Sequence, residues 1–438
     1  MKKISKKVMS AMALVLVMVF VAACAGNGDA GDRAQGITDD SIRIGSVFVT
    51  SGPFAFIGIP IVDAMTAVIE RANAHGGIDG KHIDLIHYDD GGDTITGHLL
   101  IETLLEEDEV FALMGLSGAQ APMSLDYMLD FGVPIVNISG GLALLYNEYD
   151  PGGMLFNIQP SNELDGPQLL ARALATPVFG PNRDQYLADD AMIGVMINAT
   201  DAGFDIERGI VTLAEELGIA DRLYIEFVLP DIYPTVVQSM MNSGVGVLIN
   251  GTLDSFGIVA AMYDAGWYIP VFGAYGNSTI ASFSPATYHP QRPLFATIWA
   301  EDTSPQAIAM LDDMRDSLNY LTHLSDAERD GLVDNGFARA GYLMGKVMVI
   351  ALERFVELDL DWTWENFVVA MESAPFALGG TPAFSFANGR RMGVEDLALW
   401  EYRVEIWPDG EPQIIAGVIS EFQTVDEILA PWRARTGN

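Results

Sequence analysis

The stretch from His75 to His98 holds the chain's closest approach to a reactive cluster: His75, His82, His87 and His98 lie near Asp89, Asp90 and Asp93. Imidazole and carboxylate together can hold a divalent metal. The spacing argues against one shared ion, because residues 82–87 read as a strand. His82 and His87, separated by an odd number of residues, would then point to opposite faces. Gly115-Leu116-Ser117-Gly118-Ala119 offers a serine, but it lacks the final glycine of a nucleophile elbow and no motif positions a histidine for it. Residues 50–58 follow a strand without the Gly-x-Gly-x-x-Gly spacing that cradles a dinucleotide. One cysteine in the chain, Cys24, excludes an internal disulfide framework and a multi-thiolate metal site. The residues therefore point to a non-enzyme with no cofactor and no metal.

Six loops suit binding better than catalysis. They are residues 50–58 (TSGPFAFIG), 116–120 (LSGAQ), 137–142 (NISGGL), 198–204 (NATDAGF), 250–254 (NGTLD) and 274–278 (AYGNS). All are rich in Ser, Thr, Asn and Gly, with aromatics alongside. Such loops supply hydroxyls, backbone amides at helix starts and flat apolar walls, which together suit a small polar ligand. Taken singly, the same residues also serve as turns and helix N-caps.

The elements that must position these loops alternate. Ile42, Ile44, Val47 and Val49 mark a strand over 41–49, and Ile61, Met65, Val68, Ile69 and Ala72 recur at helical spacing. Gly76-Gly77 stops that helix. A strand at 82–87, a helix near 94–106, a strand at 111–115, a helix near 122–130 and a strand at 134–138 complete the first series. A second series opens at 191–197, a continuous apolar run that suits a strand buried on both faces. Helices at 205–217, 235–241 and 256–265 then alternate with strands at 223–229, 245–249 and 271–272. Two βα arrays of four strands predict an α/β protein with two doubly wound parallel sheets. In open parallel sheets ligands bind beyond the carboxyl ends of the strands, where all six loops fall.

After residue 295 the pattern is less regular. A long helix is expected over 334–357, with Gly336, Ala338, Ala340, Gly341 and Gly345 on its packing surface, and another over 362–371. Residues 397–407 and 413–419 read as a hairpin around Pro408-Asp409-Gly410. These pieces are expected to complete both sheets rather than to form a third domain.

Charge and the N-terminus place the chain. Its 438 residues carry 59 Asp and Glu against 23 Lys and Arg, a formal net of −36, which opposes binding to nucleic acid. Lys2, Lys3, Lys6 and Lys7 precede an apolar run over 11–21, shorter than a membrane span and suited to a secretory leader over 1–23. Val21-Ala22-Ala23-Cys24 resembles a bacterial lipobox, in which the thiol of Cys24 receives the lipid. Cleavage there removes four lysines and no acid, leaving −40 on the mature chain. Residues 24–38 then read as a lipidated flexible tether. The expected location is extracytoplasmic, periplasm or cell surface, with the membrane contacted only through the N-terminal lipid.

Several segments carry a family resemblance: IRIGSVFVTSGPFAFIG, AVIERANAHGGIDGKHIDLIHYDDGGD, FALMGLSGAQAP, FGVPIVNISGG and GTLDSFGIVAAMYDAGWYIPVFGAYG. They are similar to solute-binding proteins of the branched-chain amino-acid type, relatives of the leucine/isoleucine/valine-binding protein with the type I periplasmic binding protein fold. The resemblance spans most of residues 40–400. It implies two Rossmann-like lobes joined by three crossings, closing on a small-molecule ligand and delivering it to an ABC permease as a monomer. The crossings would fall near 159–161, 297–299 and 384–386. The first lobe would comprise 39–159 and 298–384, and the second 160–297 and 385–438. Matching positions for the ligand carboxylate are Ser117, Gly118, Ser139, Gly140 and Gly141, with an aromatic position at Phe56 or Ile57. In the second lobe the candidates are Phe204, Thr252 and Tyr275.

Two departures bear on the ligand. Phe204 stands where the family has a tyrosine, and neutral Tyr275 matches the acid that receives a ligand ammonium. A buried ammonium without a carboxylate partner costs several kcal/mol, and neither Asp201 nor Asp254 stands at the matching position. A carboxylate without an amine, an amide or a small aromatic acid therefore stands beside a branched-chain or hydrophobic amino acid as the expected ligand. The same two-lobed body could instead present its closed form to a membrane receptor as a ligand sensor.

Overall fold

Branched side chains that alternate between two helical layers organise the first sheet. The computed structural model describes residues 33–437 apart from 119, 148, 253, 279–282 and 409. The leader and the lipidation position Cys24 lie outside the described residues. Strands β1 (Ser41–Phe48), β2 (His82–Asp89), β3 (Ala112–Leu116), β4 (Ile135–Ile138) and β5 (Leu155–Phe156) pair in the order β2-β1-β3-β4-β5. Every pairing in this sheet is parallel. Ile42 and Ile44 of β1 join one core, with α1 (Ala55–Ala74), while Val47 joins the other, with α2 (Thr94–Glu106) and α3 (Ala121–Phe131). This is the two-sided burial that a doubly wound sheet requires.

The second sheet repeats the scheme. Strands β6 (Met192–Ile197), β7 (Leu223–Phe227), β8 (Val245–Gly251), β9 (Val271–Gly273) and β10 (Leu294–Ile298) are parallel. Strands β11 (Leu397–Ile406) and β12 (Pro412–Gln423) extend it antiparallel, giving the order β12-β11-β10-β9-β8-β6-β7. Helices α4 (Asn162–Ala175) and α5 (Asp201–Glu216) pack on one face. Helices α6 (Tyr233–Asn242) and α7 (Ser255–Asp264) pack on the other.

Between β10 and β11 the chain returns to the first lobe as α8 (Pro305–Leu318), α9 (Asp326–Val333), α10 (Gly336–Glu357) and α11 (Trp364–Glu372). Helix α10 lies along α1, burying Ala338, Gly341, Tyr342, Gly345 and Met348. Helix α1 is apolar and long enough to cross a membrane by composition alone. Here Ile61, Met65, Val68 and Ile69 are buried in the first core.

The chain leaves the first sheet between Phe156 and Asn162 and returns after Ile298, with Trp299 and Ala300 already packed on the first core. The third crossing comes later than 384–386. Phe384 and Phe386 pack on Phe376, Phe386 also meets Phe156, and a bridge joins Asn157 to Met392. These aromatics hold the chain in the first lobe through Val394, and it enters the second sheet at Leu397. Arg172 of α4 clasps that entry, donating to Leu397 O at 3.0 Å, Ser420 Oγ at 2.5 Å and Gln423 Oε1 at 2.9 Å.

Candidate functional site

The carboxyl ends of both parallel sheets face one another, because loops from the two rims touch. Ala143, just beyond β4, donates its N–H to Asp205 Oδ2 of α5 at 2.7 Å. The hydroxyl of Tyr275, just beyond β9, lies against Gly141; at φ +64° a side chain there would be strained, and its Cβ would collide with that hydroxyl. The facing rims meet beside the crossings.

Away from the crossings, both rims carry exposed apolar side chains. In the first lobe these are Phe54 and Phe56 after β1, Ile95 after β2, Met123 after β3 and Leu144 after β4. In the second they are Phe204 after β6, Leu229 and Ile232 after β7 and Phe256 after β8. Phe56 is 63% exposed and meets Phe337 edge-to-face at 6.3 Å. Phe204 is 43% exposed and leans on Phe227 at 5.3 Å. Burial on one side and water on the other is the arrangement of a surface that awaits an apolar partner.

The loop positions expected at the site fall into two groups. Phe56, Ile57, Ser117, Gly118 and Phe204 lie on the rims, with Ile57 half-buried on the first core. Ser117 donates its N–H to Val47 O at 3.0 Å, and a Cβ on Gly118 would collide with Ser139 O. Ser117 is itself buried, and of the rest Thr252 and Gly141 are buried while Gly140 is exposed. The Thr252 hydroxyl donates to Asn250 Oδ1 at 2.8 Å. The loop over 139–141 is held by Asn162, which donates its N–H to Gly141 O at 2.7 Å and Nδ2 to Gly140 O at 2.8 Å. Tyr275 donates its hydroxyl to Pro160 O at 3.2 Å.

A carboxyl that the sequence reading did not single out sits at the crossings. Asp165, in the first turn of α4, is wholly buried. It accepts from Tyr275 N at 2.9 Å and from Thr297 Oγ1 at 2.6 Å, so it ties the first crossing to the second and to the β9 loop. Burial raises its pKa to about 7 against the opposing pull of those two hydrogen bonds.

Other acids near the rim are engaged. Asp205 pairs with Arg208 at 2.5 Å, and Asp254 caps α7 through Gly257 N at 2.7 Å. Burial would raise Asp89, but hydrogen bonds from the Ser51 side chain and from the N–H groups of Thr50, Gly91 and Ser51 hold it at about 2. It thereby shapes the loop after β1. His82 turns to Asp84 at 2.9 Å, and His98 to Ser124 at 3.1 Å. Among the described residues no three of His, Cys, Asp and Glu converge on one point.

Residues 41–405 match the family model described as periplasmic binding protein. The chain belongs to the periplasmic binding protein family. Solved structures agree on the type I fold with two lobes. One is a fatty acid ABC transporter substrate-binding protein from Thermomonospora curvata, with a TM-score of 0.71 and 17% identity, covering 91% of this chain and 96% of that one. A branched-chain amino acid ABC transporter from Thermus thermophilus with bound valine has a TM-score of 0.67 and 14% identity, covering 92% and 100%. The solute-binding protein of an ABC transporter from R. palustris, in complex with 4-hydroxybenzoate, has a TM-score of 0.66 and 14% identity, covering 88% and 97%. Comparison with curated protein sequences finds no significant match.

The sequence reading concentrated on polar loop residues and passed over Ile95, Met123, Leu144, Leu229, Ile232 and Phe256. Their signal was available: each large apolar residue stands in or just before the first helical turn after a strand, where a solvated helix start would carry a polar one.

Proposed function

We propose that this periplasmic binding protein captures a predominantly apolar organic ligand with a small polar head and delivers it to an ABC permease without altering it. Lipid attachment at Cys24 holds it outside the cytoplasmic membrane. The apolar side chains on both rims carry this reading. Closing the rims on a hydrocarbon or aromatic body would remove them from water, at about 25 cal/mol per Å² of apolar surface. Phe56, Ile57 and Phe204 supply walls, while Ser117 and the Gly118 backbone face the polar head. Among the described residues of the rims and crossings no carboxylate stands ready for an α-ammonium: Tyr275 is neutral, Asp165, Asp205 and Asp254 are already engaged, and Asp201 stands exposed at the start of α5. Two of the similar structures name a fatty acid and 4-hydroxybenzoate, which fit such a ligand, and a third names valine.

A thermal-shift panel on residues 25–438 tests this with leucine, valine, octanoate, octanamide, 4-hydroxybenzoate and 4-hydroxybenzamide. At least one of the last four is expected to raise Tm in a saturable way, because stabilisation follows ligand occupancy. Leucine and valine are expected to leave Tm unchanged. Phe204→Asp should weaken the hit about tenfold or more, given the 1.5–3 kcal/mol attached to burying such a side chain. Asp201→Asn should leave the affinity unchanged. Leucine-dependent stabilisation that Asp201→Asn abolishes would reverse the assignment.

A further inference from the structure

We propose that Gln159 is a specificity-determining residue: its side-chain carbonyl fills an acceptor cradle at the crossings and closes it to any ligand carboxylate. The cradle is built from backbone. Gly140 N and Gly141 N lie 3.1 and 2.9 Å from one end of the Gln159 amide, and two N–H donors assign that end to the oxygen. The Tyr275 hydroxyl lies 3.4 Å from the same end of that amide. Two N–H groups converging on one oxygen position form the geometry that receives a carboxylate or oxyanion; the Tyr275 hydroxyl beside them has its own proton on Pro160 O. Gln159 is buried; Asn162 holds the carbonyl side of Gly140 and Gly141, and the Tyr275 hydroxyl lies against Gly141. The acceptor comes from the first crossing itself, so it is present whether or not a ligand is. A ligand carboxylate would have to expel it and would enter beside Asp165 and Asp205, both close enough to act on Tyr275. Recognition then falls to the apolar rims and the remaining polar groups of the first lobe, and acid and amide forms of one ligand are bound alike. That consequence for specificity rests on the ligand-binding reading above, whereas occupancy of the cradle is testable with no ligand at all.

The test is chemical complementation of residues 25–438 with acetate, a carboxylate too small to engage the rims. Gln159→Ala removes the acceptor of the Gly140 and Gly141 N–H groups, the second of them on a buried residue, and is expected to lower Tm by several degrees. Acetate at roughly 100 mM should recover half or more of that loss, with saturation, while chloride at equal ionic strength does not. The unaltered protein should show no acetate-dependent shift. Equal stabilisation of both proteins would mean that the cradle is open, and absence of rescue would mean that Gln159 fills no such site; either result overturns the proposal. Should Gln159→Ala fail to fold, amide hydrogen exchange in the unaltered protein decides. Gly140 and Gly141 should be protected and insensitive to acetate, and fast exchange or acetate-induced protection at these two amides would overturn the closed cradle.

Discussion

Stability is expected to fall as pH rises from about 4 to about 7, and Asp165→Asn is expected to lose that part of the dependence. The carboxyl titrates near 3.8 when unfolded and near 7 when folded, because burial raises it. Between those values the folded state holds a proton that the unfolded state has released. Its contribution is therefore complete below about 4 and is lost as pH passes through 7. The gap corresponds to something on the order of 4 kcal/mol. Asparagine preserves the local bonding: its oxygen can face Tyr275 N while its amide donates to the Thr297 hydroxyl. That hydroxyl has a second acceptor in Gly273 O at 3.4 Å. Asp165→Leu has no such exchange to offer and should destabilise at every pH, leaving Tyr275 N buried without an acceptor. Urea unfolding of the three proteins across pH 4–8 measures this. The many surface acids also add repulsion as pH rises, so the informative quantity is the difference between the unaltered protein and Asp165→Asn. Parallel profiles for those two would show that Asp165 does not carry a proton in the fold.

Gly341→Val is expected to cost about 3 kcal/mol, near the upper end for forcing volume into a packed interface. At Gly341, α10 crosses α1 backbone to backbone, and a Cβ there would collide with the Ile61 carbonyl and sit against Ile61 Cα. Backbone cannot rotate away as a long side chain can, so the two helices must separate. That separation would loosen Tyr342, Met344 and Gly345 against Met65 and Val68. Gly331 of α9 provides the contrast. It is exposed, and a Cβ there would meet nothing within 4 Å, so Gly331→Ala should gain about 0.5–1 kcal/mol from helix propensity. Urea midpoints moving in opposite directions for the two variants are the expected result. A Gly341→Val midpoint equal to that of the unaltered protein would show that α10 does not lie against α1 as described.

The small residues that make this crossing were legible in the sequence, as were most strands. Strong period-two or continuous apolar runs place β1, β2, β6 and β8 within a residue or two of their observed ends, because burial on both faces demands such runs. Asp409-Gly410 likewise marked the hairpin of β11 and β12. Two arrays of four strands were expected, whereas the sheets have five and seven. Strand β10 (Leu294–Ile298) and helix α8 (Pro305–Leu318) escaped although both are regular, and the rest of what escaped was short or interrupted. Strand β5 has two residues, too few for any period. Helix α4 carries Gly166 and Pro167 in its interior, which break a helical pattern although the helix persists through them. Asp165 reads locally as an acid in a first helical turn, a favourable place by the helix dipole. Its burial depends on Thr297, far along the chain, so no local signal reveals it. Gln159 is the same case: its acceptor meets amides eighteen and nineteen residues back. The six polar loops did mark the carboxyl rims, yet several of their polar groups turn inward to secure the crossings rather than outward to a ligand.

Closure of the two rims on an apolar ligand is tested most directly by small-angle X-ray scattering of residues 25–438, with and without the strongest stabiliser of the thermal-shift panel. The radius of gyration should fall when that apolar compound saturates the protein, because the exposed rims come together, and it should stay constant with leucine at the same concentration. Contraction with leucine, or saturation by the apolar compound with no contraction, would contradict the account.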